Sequence, residues 1–134
     1  MKQSAAELLK GIKWVKADAH AAGAVNGTGQ DCQGFGEALF VVSVDDVTGG
    51  GTVNFKVQES DTLGGTYVDV AGAAIAQKAA VGIWVGRVDC EKRKRFMRGV
   101  LTIGVATTDA AVLGALIPNK NRPVIQTATK EFDV

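Results

Sequence analysis

Few side chains in this 134-residue sequence have the types and spacing that enzyme chemistry requires. The single histidine, His20, lies in an Ala-rich stretch, where a lone imidazole is expected on the surface rather than as a general base or metal ligand. The two cysteines, Cys32 and Cys90, are far apart, so neither a Cys-x-x-Cys motif nor zinc-ligand spacing is present. The sequence therefore predicts no catalytic residue, no cofactor and no metal site, and the protein is not expected to be an enzyme.

Three weaker motifs also favour structural interpretations. Asp45 and Asp46 lack the further oxygen ligands of a calcium-binding loop, so a hairpin turn is predicted there. The Gly-Thr-Gly at residues 27–29 lacks the Lys-Ser/Thr of a phosphate-binding loop and is typical of a turn. Residues 1–16 contain no uninterrupted apolar stretch of the kind that a secretory signal needs, so Cys32 and Cys90 are expected to be free thiols.

The most distinctive local feature is a run of cations, Lys92, Arg93, Lys94 and Arg95. Two interpretations remain open, a solvated hairpin tip and a docking surface for an acidic partner. No aromatic ladder accompanies the cations, and 15 Lys+Arg against 14 Asp+Glu give a net charge of only +1. Direct binding of nucleic acid or of a membrane surface is therefore not expected.

The elements that would position these residues are predicted to be strands. Seventeen Gly and only two Pro, with 46% hydrophobic residues, favour a single domain of short strands and tight turns. Residues 52–58 alternate without a break, with Val53, Phe55 and Val57 predicted inward. Further apolar runs at residues 38–44, 66–70, 82–88, 96–103 and 111–117 are separated by turn residues. This spacing predicts an all-β fold, an antiparallel β-sandwich or barrel.

The two ends of the chain are predicted to lie outside the sandwich. Ser4 and Glu7 form a capping-box pattern, and the apolar residues after them have helical spacing, so residues 1–24 are expected to form a short helix or arm. Residues 12–16 are equally compatible with a short extended segment. Residues 25–118 would then form the β-sandwich domain, with a loop in residues 19–30, and residues 119–134 an extended C-terminal arm.

Three segments together carry a resemblance to a known family. The sequences Val-Asn-Phe-Lys-Val-Gln-Glu-Ser-Asp at 53–61, Gly-Thr-Tyr-Val-Asp-Val at 65–70 and Arg-Phe-Met-Arg at 95–98 resemble small virion structural proteins of tailed bacteriophages, and residues 25–42 are similar to them as well. The resemblance covers about residues 25–117. It implies a β-sandwich subunit on a phage head, a decoration or cement protein that binds the outer capsid surface and stabilises it.

The resemblance also implies where the protein acts and with what. It would be made in the host bacterial cytoplasm, reside on the capsid surface of the virion and bind the major capsid protein. A small protein with a modest core gains stability and multivalent binding strength by oligomerising. A homo-oligomer, trimer or dimer, is therefore expected. The alternatives are another virion component, in the neck or tail, and a carbohydrate-binding β-sandwich module on the virion.

The residues expected to contact the partner come from the cation run and from the two chain ends. Apolar residues in an extended terminal segment are more useful as anchors on a neighbour than as solvated side chains. The predicted partner-binding residues are Trp14, Lys92, Arg93, Lys94, Arg95, Arg122, Val124, Ile125 and Phe132.

Overall fold

The computed structural model of the protein describes residues 9–47, 49–118 and 129–134, which form two β-sheets. The inner faces of the two sheets share one hydrophobic core, so the architecture is consistent with the predicted β-sandwich. Within those ranges, no helix has the length and apolar character needed to cross a membrane.

The first sheet contains five strands. Its order is β1 (Lys10–His20), β9 (Thr108–Ile117), β4 (Glu37–Val47), β7 (Gly82–Asp89) and β10 (Thr129–Asp133). Neighbouring strands are antiparallel except that β10 runs parallel to β7.

The second sheet packs on the first and is wholly antiparallel. Its order is β2 (Gly23–Asn26), β8 (Phe96–Gly104), β5 (Thr52–Ser60) and β6 (Val68–Lys78), and the short β3 (Gln30–Asp31) also pairs with β8. The inward positions predicted for β5 are confirmed, because Val53, Phe55 and Val57 are buried while the residues between them are partly exposed.

The prediction of a helix or arm at the N-terminus is wrong for the described part of that segment. Residues 10–20 form β1, which pairs with β9 and buries Ile12, Trp14 and Val15. The capping box that suggested a helix lies outside the described residues. Burial of a large ring against the partner sheet stabilises the extended form more than helical spacing of a few apolar residues stabilises a helix.

Two loop assignments also change. The predicted loop at residues 19–30 contains β2 and the first residue of β3, since both short segments find partners on β8. Asp45 and Asp46 do not form the predicted turn; they lie near the end of β4, beside an irregularity in its pairing with β9. The chain reverses beyond them, where Gly49 and Gly50 adopt positive φ angles that only glycine tolerates well.

The C-terminal residues that the structure describes also belong to the sandwich. Instead of an extended arm, residues 129–133 form β10 at the edge of the first sheet, and the Phe132 side chain is only 5% exposed. Residues 119–128 of the predicted arm lie outside the described residues. The ring that was expected to anchor the arm on a neighbour instead fills this protein's own core.

Four aromatic rings occupy the centre of the core. Phe40 contacts the other three, with ring centroids 4.3 Å from Trp14, 5.7 Å from Phe55 and 6.2 Å from Phe132. The Phe55 and Phe132 rings are stacked at 6.4 Å. Because these rings come from β1, β4, β5 and β10, their contacts hold both sheets together.

Glycines in three strands make room for these rings. A Cβ at Gly86 would overlap the Phe132 ring, and one at Gly99 would lie 2.8 Å from Phe55 Cε2. At Gly114 a Cβ would lie 2.8 Å from Trp14 Nε1. That indole N–H crosses over β9 and donates a 2.9 Å hydrogen bond to the Leu39 carbonyl of β4. Gly86, Gly99 and Gly114 are therefore packing positions of the core.

We expect Phe55→Ala to lower the free energy of unfolding by about 3–5 kcal/mol, because it removes a buried ring and leaves a cavity. Urea denaturation followed by tryptophan fluorescence measures the loss. A loss below about 1 kcal/mol would contradict the assignment of Phe55 to the core.

We expect Gly86→Ala to destabilise the protein by about 1–3 kcal/mol, because the added methyl overlaps the Phe132 ring. Adding Phe132→Leu to Gly86→Ala should cost less than the sum of the two single changes, since the smaller side chain relieves the overlap. Gly11→Ala in β1 is the matched control, because a Cβ there meets nothing within 4 Å and should change stability by less than about 0.5 kcal/mol. Equal losses at Gly86 and Gly11 would refute the overlap.

Candidate functional site

The cation run joins the two sheets at one end of the sandwich. It follows β7 of the first sheet and leads into β8 of the second, so the predicted hairpin tip is instead a connection between sheets. The 3₁₀ turn Cys90–Lys92 makes the change of direction, and the Asp89 carboxylate caps it by accepting a 3.0 Å hydrogen bond from Glu91 N. Residues 92–95 are called the basic connection below.

Arg95 is neutralised within the chain. Its Nε and Nη2 donate to the two carboxylate oxygens of Asp31, at 3.1 and 2.8 Å, and its guanidinium lies over the Phe96 ring. The Arg95 hydrogen bonds, helped by one from Gln33 N, hold the pKa of Asp31 below its ordinary value of 3.8. This pair ties the basic connection to β3.

Arg93 and Lys94 share a second carboxylate, Glu59, at the end of β5. Lys94 N donates to Glu59 Oε2 at 3.0 Å, and Arg93 Nη1 lies 3.8 Å from Glu59 Oε1. Lys94 Nζ also lies 3.8 Å from Asp61. Lys92 is exposed, and among the described residues it has no acidic partner. The field that the basic connection presents to a partner therefore comes mainly from Lys92.

A continuous polar network covers part of the outer face of the second sheet. Arg98 Nε and Nη2 donate to Gln58 Oε1 at 2.9 and 2.8 Å, and Gln58 Nε2 donates to Asp69 Oδ1 at 2.8 Å. Lys56 Nζ donates to the same carboxylate. The Arg98 guanidinium also lies 4.3 Å from the centre of the Tyr67 ring. We call these five side chains the polar network.

The strand register explains why these side chains meet. Gln58 of β5 lies directly opposite Arg98 of β8 on one side and Asp69 of β6 on the other. The segments at residues 53–61, 65–70 and 95–98 are therefore neighbours in one sheet. Hydrogen bonds from Gln58 and Lys56 lower the pKa of Asp69, so its carboxylate is charged at neutral pH.

A cleft of about 440 Å³ lies next to the basic connection and contains both cysteines. The turn at residues 32–35 and the 3₁₀ turn form its walls, and Arg93, Lys94 and Arg95 are among its lining residues. Cys32 and Cys90 are both buried and free, and both line this cleft. We call this the cysteine cleft.

The two thiols are not equivalent. The hydrogen bond from the Cys32 thiol lowers the pKa of Cys90, whereas the same contact, together with burial, raises the pKa of Cys32. Cys90 is therefore the thiol of the pair that is more readily deprotonated.

Among the described residues, the predicted partner-binding side chains divide between the core and the basic connection. Trp14 is fully buried and Phe132 nearly so, because both rings belong to the aromatic core, so neither presents a surface to a partner. Arg122, Val124 and Ile125 lie outside the described residues. Only the four residues of the basic connection remain on or near the surface. His20, predicted to be exposed, is 6% exposed, and its Nε2 lies 3.0 Å from the Lys16 carbonyl.

Sequence reasoning missed two groupings. The first is the polar network. The alternation of β5 predicted that Lys56 and Gln58 point outward, but it did not predict which residues of β6 and β8 they contact. No local signal pairs Cys32 with Cys90. Their proximity requires both β3–β8 pairing and the alignment of Glu37 with Asp89 in β4–β7.

Within the described ranges, no group of three or more His, Cys, Asp or Glu side chains is placed to hold a metal ion. A scan against protein-family models found no match, and a search of curated proteins found no significant similarity.

We expect Arg95→Gln to raise the pKa of Asp31 toward its ordinary value, because the neutral side chain no longer stabilises the carboxylate. The depressed pKa makes the pair stabilising above the unfolded-state pKa, and this contribution is lost as pH falls through the folded-state pKa. Carboxyl NMR titration of both proteins measures the pKa, with Arg98→Gln as the control that leaves Asp31 unchanged. An unaltered Asp31 pKa in Arg95→Gln would show that the pair does not persist in solution.

Proposed function

We propose that the protein is a non-enzymatic virion structural protein that binds the outer surface of a phage capsid and stabilises it, as a head decoration protein. The polar network carries this proposal. The segments that resemble phage virion proteins converge on one sheet face, and their polar side chains are fixed there by hydrogen bonds to one another.

A network of this kind suits recognition of a protein surface. Arg98 and Gln58 are held in position before binding, so less side-chain entropy is lost when a partner docks. The network presents both charge signs within three strands, which favours a partner with a complementary pattern. Lys92 is exposed in the connection that leads into β8, and in the proposal it adds a positive charge to the contact. In the proposal, the major capsid protein contacts the outer face of the second sheet.

The outer face of the first sheet has a different character and suits contact with a second copy of the chain. Leu113 of β9 lies opposite Val41 of β4, which in turn lies opposite Val85 of β7. Leu113 is 49% exposed and Ile83, on the same face, is 54% exposed. Subunit interfaces are more apolar at their centre than transient contacts, so this face supports a homo-oligomer, trimer or dimer, on the capsid.

The sugar-binding alternative is less well supported by the surface aromatics. Carbohydrate modules stack sugars on free ring faces, as the amphipathic rings of Tyr and Trp allow. Here Lys78 lies over Trp84, Arg95 over Phe96 and Arg98 over Tyr67, so a cation already occupies one face of each of these rings.

We expect the purified protein to bind phage heads that lack it and to saturate at a fixed copy number per head. Arg98→Ala and Lys92→Ala should each weaken this binding by about tenfold, which corresponds to about 1.4 kcal/mol per site. Lys16→Ala is the matched control, because it removes an exposed cation from β1, away from the second sheet, and should bind as tightly as the unaltered protein.

Co-sedimentation with heads measures the affinity, and thermal unfolding confirms that each variant is folded. Failure of the unaltered protein to bind heads would refute the proposal. Labelling of the neck or tail by an antibody to the protein, or retention on immobilised bacterial polysaccharide that free sugar reverses, would support the corresponding alternative instead.

A further inference from the structure

The cysteine cleft is lined by both cysteines of the chain at the point where the two sheets are joined. Cys32 directly follows β3, and its main-chain N–H donates to the Arg95 carbonyl at 2.8 Å. Cys90 begins the 3₁₀ turn after β7, and its N–H donates to the Gly36 carbonyl at 2.9 Å. Both backbones are thus fixed by hydrogen bonds to segments that come from elsewhere in the sequence.

A local turn also holds the segment that contains Cys32 against the segment that contains Cys90. Phe35 N donates to the Cys32 carbonyl at 3.2 Å, closing a tight turn in which Gly34 adopts a φ of 86°. Gly36, next along the chain, is the residue that Cys90 N contacts. The thiols of Cys32 and Cys90 lie 3.5 and 4.0 Å from the carbonyls of Gln30 and Val88, and both side chains line the same cleft.

The geometry points to a disulfide that forms between Cys32 and Cys90 in the folded protein when a small-molecule disulfide, such as oxidised glutathione, enters the cleft. The cleft opens beside both cysteines, so a disulfide group can approach them there. Exposed Lys92 lies between the lining residues Glu91 and Arg93, and its charge favours the approach of an oxidant that carries carboxylates. This inference depends on the chain's own geometry and is independent of capsid binding.

The reaction proceeds by two thiol–disulfide exchanges. The Cys90 thiolate attacks one sulfur of oxidised glutathione, the glutathione S–S bond breaks, and one glutathione leaves as a thiolate. The Cys32 thiol then loses its proton and attacks Cys90 Sγ, which releases the second glutathione. Two cysteine thiols are oxidised, one oxidised glutathione is reduced to two glutathione molecules, and the two cysteine protons end on those thiols.

The bond would link the turn after β3 to the turn after β7. Both turns adjoin the basic connection. Cys32 N donates a hydrogen bond to the Arg95 carbonyl, and Cys90 starts the turn that ends at Lys92. Closing a long loop restricts the unfolded chain and stabilises the folded one. A protein folded in a reducing cytoplasm would thereby become more stable after release into an oxidising medium.

The test uses the full-length protein, first reduced and then incubated with oxidised glutathione under native conditions. We expect the intact mass to fall by that of two hydrogen atoms, both thiols to resist maleimide after denaturation, and a proteolytic fragment to join Cys32 to Cys90. The unfolding midpoint of the oxidised protein should rise by about 10 °C, and reduction should reverse the change.

Cys32→Ser and Cys90→Ser are the matched controls, and neither should show the mass loss or the rise in midpoint. The mass and thiol measurements on the unaltered protein test the inference whether or not either variant folds. Two thiols that remain free at the most oxidising glutathione ratio would overturn the inference. A stalled single glutathione adduct would overturn it too, as would a disulfide between two chains.

Discussion

The packing of four aromatic rings against glycines is the constraint on which the rest of the structure depends. Rings from β1, β4, β5 and β10 fill the space between the sheets, and the missing side chains at Gly86, Gly99 and Gly114 allow the backbone to approach them. Because the rings come from both sheets, they set the separation and relative placement of the two layers. The surface groups keep their positions only while this arrangement holds.

The positions of the charged groups at one end of the sandwich follow from the relative placement of the two sheets. β3, β5 and the segment after β7 end near one another, which places Asp31 and Glu59 beside the basic connection. The Arg95–Asp31 pair is exposed, and such a pair contributes at most about 1 kcal/mol to folding stability. The main effect of these ion pairs is positional, because they hold Arg93, Lys94 and Arg95 against the protein and leave Lys92 exposed.

The sequence predicted the strands of the sandwich well where polar and apolar residues alternate, as at Val53, Phe55 and Val57. It failed where long-range pairing decides the structure. The segment around Trp14 was predicted as a helix or arm because its local spacing is ambiguous, and only pairing with β9 makes it a strand. Phe132 was expected on a neighbour for a similar reason. The polar network and the cysteine cleft depend on the register between distant strands, which no local pattern encodes.

The pairing of β1 with β9 also has a kinetic consequence. Lys10 lies opposite Leu116, so the first sheet is complete only after residues more than a hundred positions apart have met. Folds dominated by such distant contacts reach the native state slowly. Until β1 arrives, β9 presents an unpaired apolar edge, a geometry that promotes association between chains. The lysines of β1 and the irregularities in its pairing protect that edge once β1 is in place, so the interval before docking is when the chain is most prone to aggregate.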